Sequence, residues 1–429
     1  MQTWEVISSP TLRNSGGNMP AALVPTLHIE GAIDGEGGSF RSLTGLLERI
    51  DRSRFEPVAL FCRACEAAMR LREQGLDVYV LPEPPRRPLA SGRVEFYAEL
   101  LRATLKCAGI IRSLEQGRGS SFGVIHTNDQ LVTNAGWIAA ARMLRRAVVC
   151  HERQHGDFRT VHRALASGIA AHVRISASVD AHCREHRIRA RRNTLVYNGL
   201  AIPSAAEKAA ARERGARVLA ELGVGPGAPV LLYAGTVASW KGTDSAVRAF
   251  AALRPGMGRP EPILVLAGEA SADAPSWPNE VERLSRELGV AERLKWVGRR
   301  DDVTDLMCAS DVVLHAAVRP EPFGRVPLEA MAWGAPVVAT DTGGVAEVLG
   351  EEHPGLVPAG RPGAMARAIE EVLEGGGATV AAVAIGAERA EASFSIEAHV
   401  REMEKIFGAA AGVSDERPEQ RTDPVRSSE

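Results

Sequence analysis

The chain has 429 residues, a formal net charge of −2, 45% hydrophobic residues and 24% charged ones. That length is more than one ordinary domain, and the balance is that of a globular chain rather than a fibrous or disordered one. No apolar run approaches the roughly eighteen residues of a membrane helix, and six cysteines in this length make no disulfide framework.

The first twenty residues lack the basic start and apolar core of a secretory leader and are expected to be an extension ahead of the first domain. A reducing cytoplasm is the expected compartment. Charge is unevenly spread. Residues 1–200 hold 27 Lys and Arg against 19 Asp and Glu, a net +8, and the remainder carries −10.

Along the first half, short apolar runs at 21–29, 57–62, 77–81, 123–127, 147–150, 172–176 and 193–197 predict strands. Amphipathic stretches at 39–50, 95–115, 131–144 and 178–187 predict helices between them. Such alternation predicts a parallel sheet covered on both faces. Cys62-x-x-Cys65 has no second pair or histidine partner at zinc spacing and reads as structural.

Residues 198–218 break the rhythm as a connector that runs into an Ala/Arg-rich helix. A second series follows, with strands predicted at 229–235, 262–269, 294–298, 312–317 and 336–341. Its helices are predicted near 243–252, 278–289, 302–308, 326–333 and 362–374. The expected fold class is α/β, with two doubly wound, Rossmann-like parallel-sheet domains over 21–200 and 205–394 facing across a cleft. A final amphipathic helix at 395–408 is expected to pack back on the first domain. Residues 412–429, nearly devoid of apolar side chains, are expected to be a disordered tail.

In open parallel sheets ligands bind beyond the carboxyl ends of the strands, so the loops there matter most. The stretch EPFGRVPLEAM, residues 321–331, sets two carboxylates around one helix start. Pro322 keeps Glu321 in the loop. Gly324 permits close backbone approach, Pro327 suits a first helical turn, and Glu329 lies on the helix. The N–H groups between the carboxylates, with the helix dipole, suit a phosphate. The layout therefore fits a ligand with hydroxyl-bearing groups on either side of a diphosphate.

Thr342-Gly343-Gly344 opens another helix after a strand, a weaker anion-friendly start. In YAGTVASWKG, a strand ends at Gly235, Thr236 follows, and Lys241 precedes the next helix, placed to neutralise a leaving diphosphate. In the first half, Gly37-Gly38 opens a helix, without the full three-glycine dinucleotide spacing. His126 stands near a strand's carboxyl end in VIHTND, a position compatible with substrate contact or with a structural role. His151, Glu152 and His155 match no familiar metal-ligand spacing, so no metal site is expected. The arginine-rich run 183–193 suggests an exposed basic surface. No aromatic residues are interleaved there, which argues against nucleic acid.

The EPFG block through PVVAT and the following Gly-Gly, the AG-to-KG loop, VGRRDDV with SDVVLH, and YNG at 197–199 together resemble the retaining family 4 glycosyltransferases of the GT-B fold. The resemblance spans about 21–408 and is densest over 229–349. It implies a nucleotide-sugar donor, UDP- or GDP-linked, held mainly by the second domain, and an acceptor held mainly by the first. No cofactor is implied. Glu321 would contact donor-sugar hydroxyls, Glu329 the ribose, and Lys241 the diphosphate, helped by the N–H groups of Phe323, Gly324, Arg325 and Val326. Gly235 and Thr236, Thr342, Gly343 and Gly344, and Gly37 and Gly38 would line the donor pocket. Arg299, in the WVGRR loop, would lie near the base, and His126 near sugar or acceptor. Thr236 stands where the family usually has Arg, and Arg325 or Arg319 would make up that charge.

The expected activity is transfer of a hexose with retention, without a bound metal, to a glycan, lipid-linked or small-molecule acceptor. Peripheral contact with an anionic membrane through the basic first half is a further expectation. The alternatives are a nucleotide-sugar epimerase and a weakly active binding or scaffold protein of the same fold.

Overall fold

In the computed structural model, residues 23–31, 37–85, 88, 92–254, 260–271 and 274–413 are described. The expected extension 1–20 and the tail from 414 onward lie outside them. Within these residues the apolar runs form two wholly parallel sheets. The first holds β1 Val24–Glu30, β2 Phe55–Phe61, β3 Asp77–Val80, β4 Val124–Asn128, β5 Ala147–Glu152, β6 Ala171–Arg174 and β7 Arg192–Leu195, ordered β3-β2-β1-β4-β5-β6-β7. The second holds β8 Val230–Ala234, β9 Ile263–Ala267, β10 Leu294–Gly298, β11 Val312–His315, β12 Val337–Asp341 and β13 Leu356–Pro358, ordered β10-β9-β8-β11-β12-β13.

Both sheets are doubly wound. Strand order reverses between β1 and β4 and again between β8 and β11, and the crevice at such a reversal is where open α/β sheets bind ligands. Central strands are buried on both faces, as with all five residues of β8 and of β4. That is why they read as continuous apolar runs rather than alternating ones.

Elements that the sequence reading lacks have too short a pattern to show. The helices Glu66–Glu73 and Thr160–Ala166 complete about two turns each. Strand β13 has three residues and ends on Pro358. The longer helix Gly377–Phe394 buries only Gly386, Ala390 and Phe394, a single i, i+4, i+8 line on an alanine-rich surface.

The chain crosses between the domains twice at one place. Leu200 N–H donates to the Phe394 carbonyl at 2.8 Å, and Ile396 N–H to the Leu200 carbonyl at 2.9 Å. From there the helix Ile396–Ala411 lies on the first sheet, burying Ile396, Val400, Met403, Ile406 and Phe407 with Val24, Phe55 and Val124. The connecting helix Ala205–Glu221 instead docks on the second domain. Arg214 makes a two-pronged pair with Asp305, and Gly215 lets the helix approach the Asp305 carbonyl, where a Cβ would come within 2.0 Å.

Candidate active site

At the reversal point of the second sheet, the loops after β8 and β11 face the helix that follows β1. Glu321 lies in the loop beyond β11, and Lys241 ends a short 3₁₀ turn, Ser239–Lys241, beyond β8. Gly242 closes that turn at φ +68°, where a Cβ would stand 1.9 Å from the Ala316 carbonyl oxygen. No other residue type permits both the conformation and the approach. The Tyr233 hydroxyl, inside the loop, lies 3.2 Å from the Thr236 carbonyl and 3.4 Å from that of Lys241, and accepts from Thr243 Oγ1.

These constraints bring together two side chains 80 positions apart. The Lys241 ammonium sits 2.5 Å from Glu321 Oε2 and 4.3 Å from the centroid of the Trp240 ring. His315 Nε2 is 3.6 Å from the same carboxylate oxygen, too far for a good hydrogen bond but close enough to act electrostatically. Burial alone would raise the Glu321 carboxyl. The His315 imidazole and the Lys241 ammonium outweigh it and hold the group at about 2, so it is a carboxylate at neutral pH.

Gly324, at φ +102°, turns the chain into the helix Arg325–Trp333. No side chain caps that start, Pro327 has no N–H, and the first N–H groups have no acceptor within the helix. Arg325 reaches across the cleft. Its guanidinium donates to the Gly38 carbonyl at 3.4 Å and to Ser42 Oγ at 3.1 Å, and pairs with Glu329 at 3.0 Å. Arg41, from the opposite domain, stands 3.9 Å from Glu329. Lys241, His315, Glu321, Glu329, Gly38, Arg41 and Arg325 thus border one pocket of about 240 Å³, with Gly235, Thr236 and Val326 also in its wall.

Other expected site residues lie behind or beside this pocket. The Phe323 side chain is buried against Tyr197 and Phe394, so only its backbone belongs to the loop. Gly343, at φ +60°, and Gly344 press against that loop. A Cβ on Gly343 would lie 2.1 Å from the Glu321 carbonyl oxygen, and Gly344 N–H donates to that carbonyl at 2.8 Å. The two glycines thus buttress Glu321 from behind, and the neighbouring Thr342 hydroxyl is buried without a partner among the described residues. Gly37 precedes the helix Gly38–Leu47 and does not border the pocket. Arg299 lines the adjoining cleft with Arg41, Arg49, Arg70 and Arg325. Arg319 is exposed and not in the pocket wall, so Arg325 is the better-placed cation.

His126 requires a correction. Its ring is fully buried inside the first domain, 3.1 Å from His28 Nδ1, 3.0 Å from His151 Nδ1, and against Phe407 of the last helix. It sits mid-strand, and its side chain points to the face that the last helix covers, so it does not reach the cleft. Burial first, then nearby His28 and Arg153, push its pKa well down.

Polar groups at the carboxyl end of the first sheet that the sequence reading did not single out are Glu30, Asn128 and Arg153. Asn128 Nδ2 donates to Glu30 Oε2 and to the Ser39 carbonyl, and Arg153 Nε donates to Asn128 Oδ1 at 2.8 Å. One further Arg153 nitrogen, Nη2, is buried without a partner among the described residues. His315 is likewise new. Its only sequence signal is its place as the last residue of an apolar strand.

The profile of the glycosyl transferases group 1 family matches residues 218–388, and that of a glycosyl transferase 4-like domain matches 37–199. The chain is 34% identical over 189 residues to a lipopolysaccharide core biosynthesis mannosyltransferase, LpsB, of Rhizobium meliloti, covering 43% of this chain and 53% of that protein. It is 27% identical over 353 residues to D-inositol 3-phosphate glycosyltransferase 2 of Catenulispora acidiphila, covering 72% and 80%. Among solved structures, Anabaena Alr3699/HepE in complex with UDP and glucose superposes with a TM-score of 0.72 at 21% identity, over 90% of this chain and all of that one. A Rickettsia africae glycosyltransferase gives 0.74 at 16%, over 92% and 100%. These two likenesses speak for the GT-B fold.

Proposed function

The chain belongs to the glycosyl transferases group 1, glycosyltransferases of the GT-B type, and we propose on that footing that it moves a hexose from a nucleotide sugar to an acceptor hydroxyl with retention. The observation that carries this reading is the Lys241–Glu321 pair, set beside an uncapped helix start at the sheet's reversal point and opposite the other domain. An ammonium and free backbone N–H groups offset the charge of a departing diphosphate. A carboxylate held ionised accepts hydrogen bonds from sugar hydroxyls, and Glu329 does the same for ribose.

Arg325 and Arg41 add the positive charge that Thr236 does not supply, so in this reading the protein's own cations do the electrostatic work without a bound metal. The bond from the anomeric carbon to the β-phosphate oxygen breaks, its electron pair staying on the phosphate. The acceptor oxygen bonds that carbon on the same face, and its proton passes to the departing phosphate oxygen. UDP- and GDP-linked donors are the first to try. The HepE structure holds UDP and glucose, and the relatives named above are a mannosyltransferase of lipopolysaccharide core and an inositol-phosphate glycosyltransferase.

Peripheral contact with an anionic membrane belongs to the same reading, and the helix Arg93–Arg118 is the surface that supports it. Val94, Tyr97, Leu101 and Leu105 stand exposed along one stripe, with Arg102 and Arg112 exposed beside them. Apolar stripes with cationic neighbours lie flat in anionic interfaces. No described helix is long and apolar enough to cross a membrane.

A thermal-shift screen of UDP-, GDP-, ADP- and dTDP-sugars tests the donor, because a ligand that binds only the folded state raises its Tm. A shift of several degrees with one nucleotide class, followed by transfer with the anomeric configuration kept, supports the reading. No shift with any of them favours the scaffold alternative, and donor conversion without acceptor favours the epimerase.

A further inference from the structure

His315, the last residue of β11, borders the candidate donor pocket yet is 6% exposed. Neither of its ring nitrogens has a hydrogen-bond partner among the described residues. A buried polar ring without a partner is costly, and such groups call for an explanation. Glu321 Oε2 lies 3.6 Å from its Nε2. That same oxygen is held by Lys241 at 2.5 Å.

In the reading above, Lys241 has two claims on it. A diphosphate carries more charge than one carboxylate and draws the ammonium toward itself. Glu321, whose side chain is 13% exposed, would then be left as a buried carboxylate short of a partner, an unfavourable state. The backbone behind His315 is pinned, since Thr340 Oγ1 donates to the Ala317 carbonyl at 2.7 Å and β11 is paired on both sides. The imidazole ring is the part free to turn. Closing 3.6 Å to an ordinary 2.7–3.0 Å takes less than about 1 Å of movement.

We propose that His315 is a positioning residue for Glu321: as Lys241 swings onto a bound diphosphate, the His315 Nε2–H takes its place as donor to Glu321 Oε2, keeping that carboxylate aimed at the donor sugar. The inference rests on the donor-site reading of this pocket. Other groups that face Glu321 are the Tyr233 phenol from β8 and His155 from the loop after β5, and both feel its charge. The His155 ring is engaged with Ser178 Oγ at 3.0 Å. His315 is therefore the imidazole positioned for the exchange.

The test needs no knowledge of the sugar or base. Full-length protein is labelled with ring-¹⁵N histidine, the His315 signals are assigned with His315→Asn, and the spectra are recorded with and without inorganic pyrophosphate. Lys241→Met serves as a second way of removing the competing ammonium. In both cases the His315 Nε2 proton is expected to move downfield and to exchange with water at least tenfold more slowly. Adding Glu321→Gln should abolish the effect. A His315 resonance unmoved by Lys241→Met or by bound pyrophosphate overturns the inference alone. Pyrophosphate that leaves all signals from the pocket unchanged, and does not raise Tm, overturns the donor-site reading as well. In turnover, His315→Ala should lower kcat tenfold or more at nearly unchanged KM, with His315→Asn recovering most of it. An equal fall for both variants would mark a merely structural histidine.

Discussion

The Glu347 carboxylate, from the second domain, accepts the backbone N–H of Ser178 in the first at 2.9 Å, and its other oxygen takes that of Ala177 at 2.6 Å. Helix Ala177–Glu185 is thus capped jointly by its own Ser176, bonded to Val179 N–H, and by a side chain from across the cleft. Ser176 Oγ also donates to the Pro322 carbonyl at 2.6 Å, one residue beyond Glu321.

Removing that cross-domain cap should loosen the closed cleft. Glu347→Ala is expected to cost about 1 kcal/mol, the usual value of a lost helix cap, and to enlarge the radius of gyration seen by solution scattering. An unchanged scattering profile with unchanged stability would show that the domains close without it.

Lys241→Ala and Glu321→Ala should each lower turnover at least a hundredfold in a folded protein, as loss of preorganised charge in an enclosed site does. The pair is coupled at 2.5 Å, so the double variant should cost less than the product of the two single effects. Near-normal rates in purified single variants would refute these roles. Because Glu321 is held at about 2, it stays ionised far below neutrality. Any acid limb in the rate between pH 4 and 7 should therefore survive conservative changes at Glu321 and belong to another group.

The buried histidines predict acid sensitivity of the first domain. Burial lowers His28 and His172 to about 3 and His399 to about 4. A depressed histidine binds fewer protons folded than unfolded, so its share of stability is whole above the unfolded value near 6.5 and is lost as pH falls toward the folded one. Three such groups give a slope approaching about 4 kcal/mol per pH unit at the steepest. Urea unfolding at pH 7.5, 6.0 and 5.0 should show the loss beginning near pH 6.5. A flat profile over that range would contradict the neutral, buried state assigned to them.

For the exposed stripe of the helix Arg93–Arg118, Leu101→Glu with Leu105→Glu should cut flotation with phosphatidylglycerol-containing vesicles at least tenfold. The Tm shift by a nucleotide sugar should be unaltered. Binding that persists would place the contact elsewhere, and a wild-type dimer in light scattering that the variant turns monomeric would assign the stripe to self-association.

Much of the fold was legible because strands buried on both faces, such as β8 and β11, announce themselves as apolar runs, and the turns between them carry Gly, Pro and Asp. The EPFG stretch was legible for a similar reason: Pro322, Gly324 and Pro327 fix local backbone conformation whatever surrounds them. For His126 the sequence shows a place near a strand's carboxyl end, but not which face of the sheet its ring points to. The close approach of Gly343 and Gly344 to the backbone of the Glu321 loop could not be read from their place after a strand.

The residue order alone set the two doubly wound halves, their joint near residue 200, and the carboxylates at the start of one helix, since these follow from periodicity and local turn chemistry. The folded chain alone decided that Lys241 meets Glu321, that Arg325 reaches Gly38 and Ser42 of the other domain, that Glu347 caps a helix not its own, and that His315 waits beside an occupied oxygen. The first three pairings join residues tens to hundreds of positions apart, and the last, between neighbours in sequence, depends on where a strand end and a loop place two side chains. Their energies depend on distance and burial, which sequence spacing does not encode.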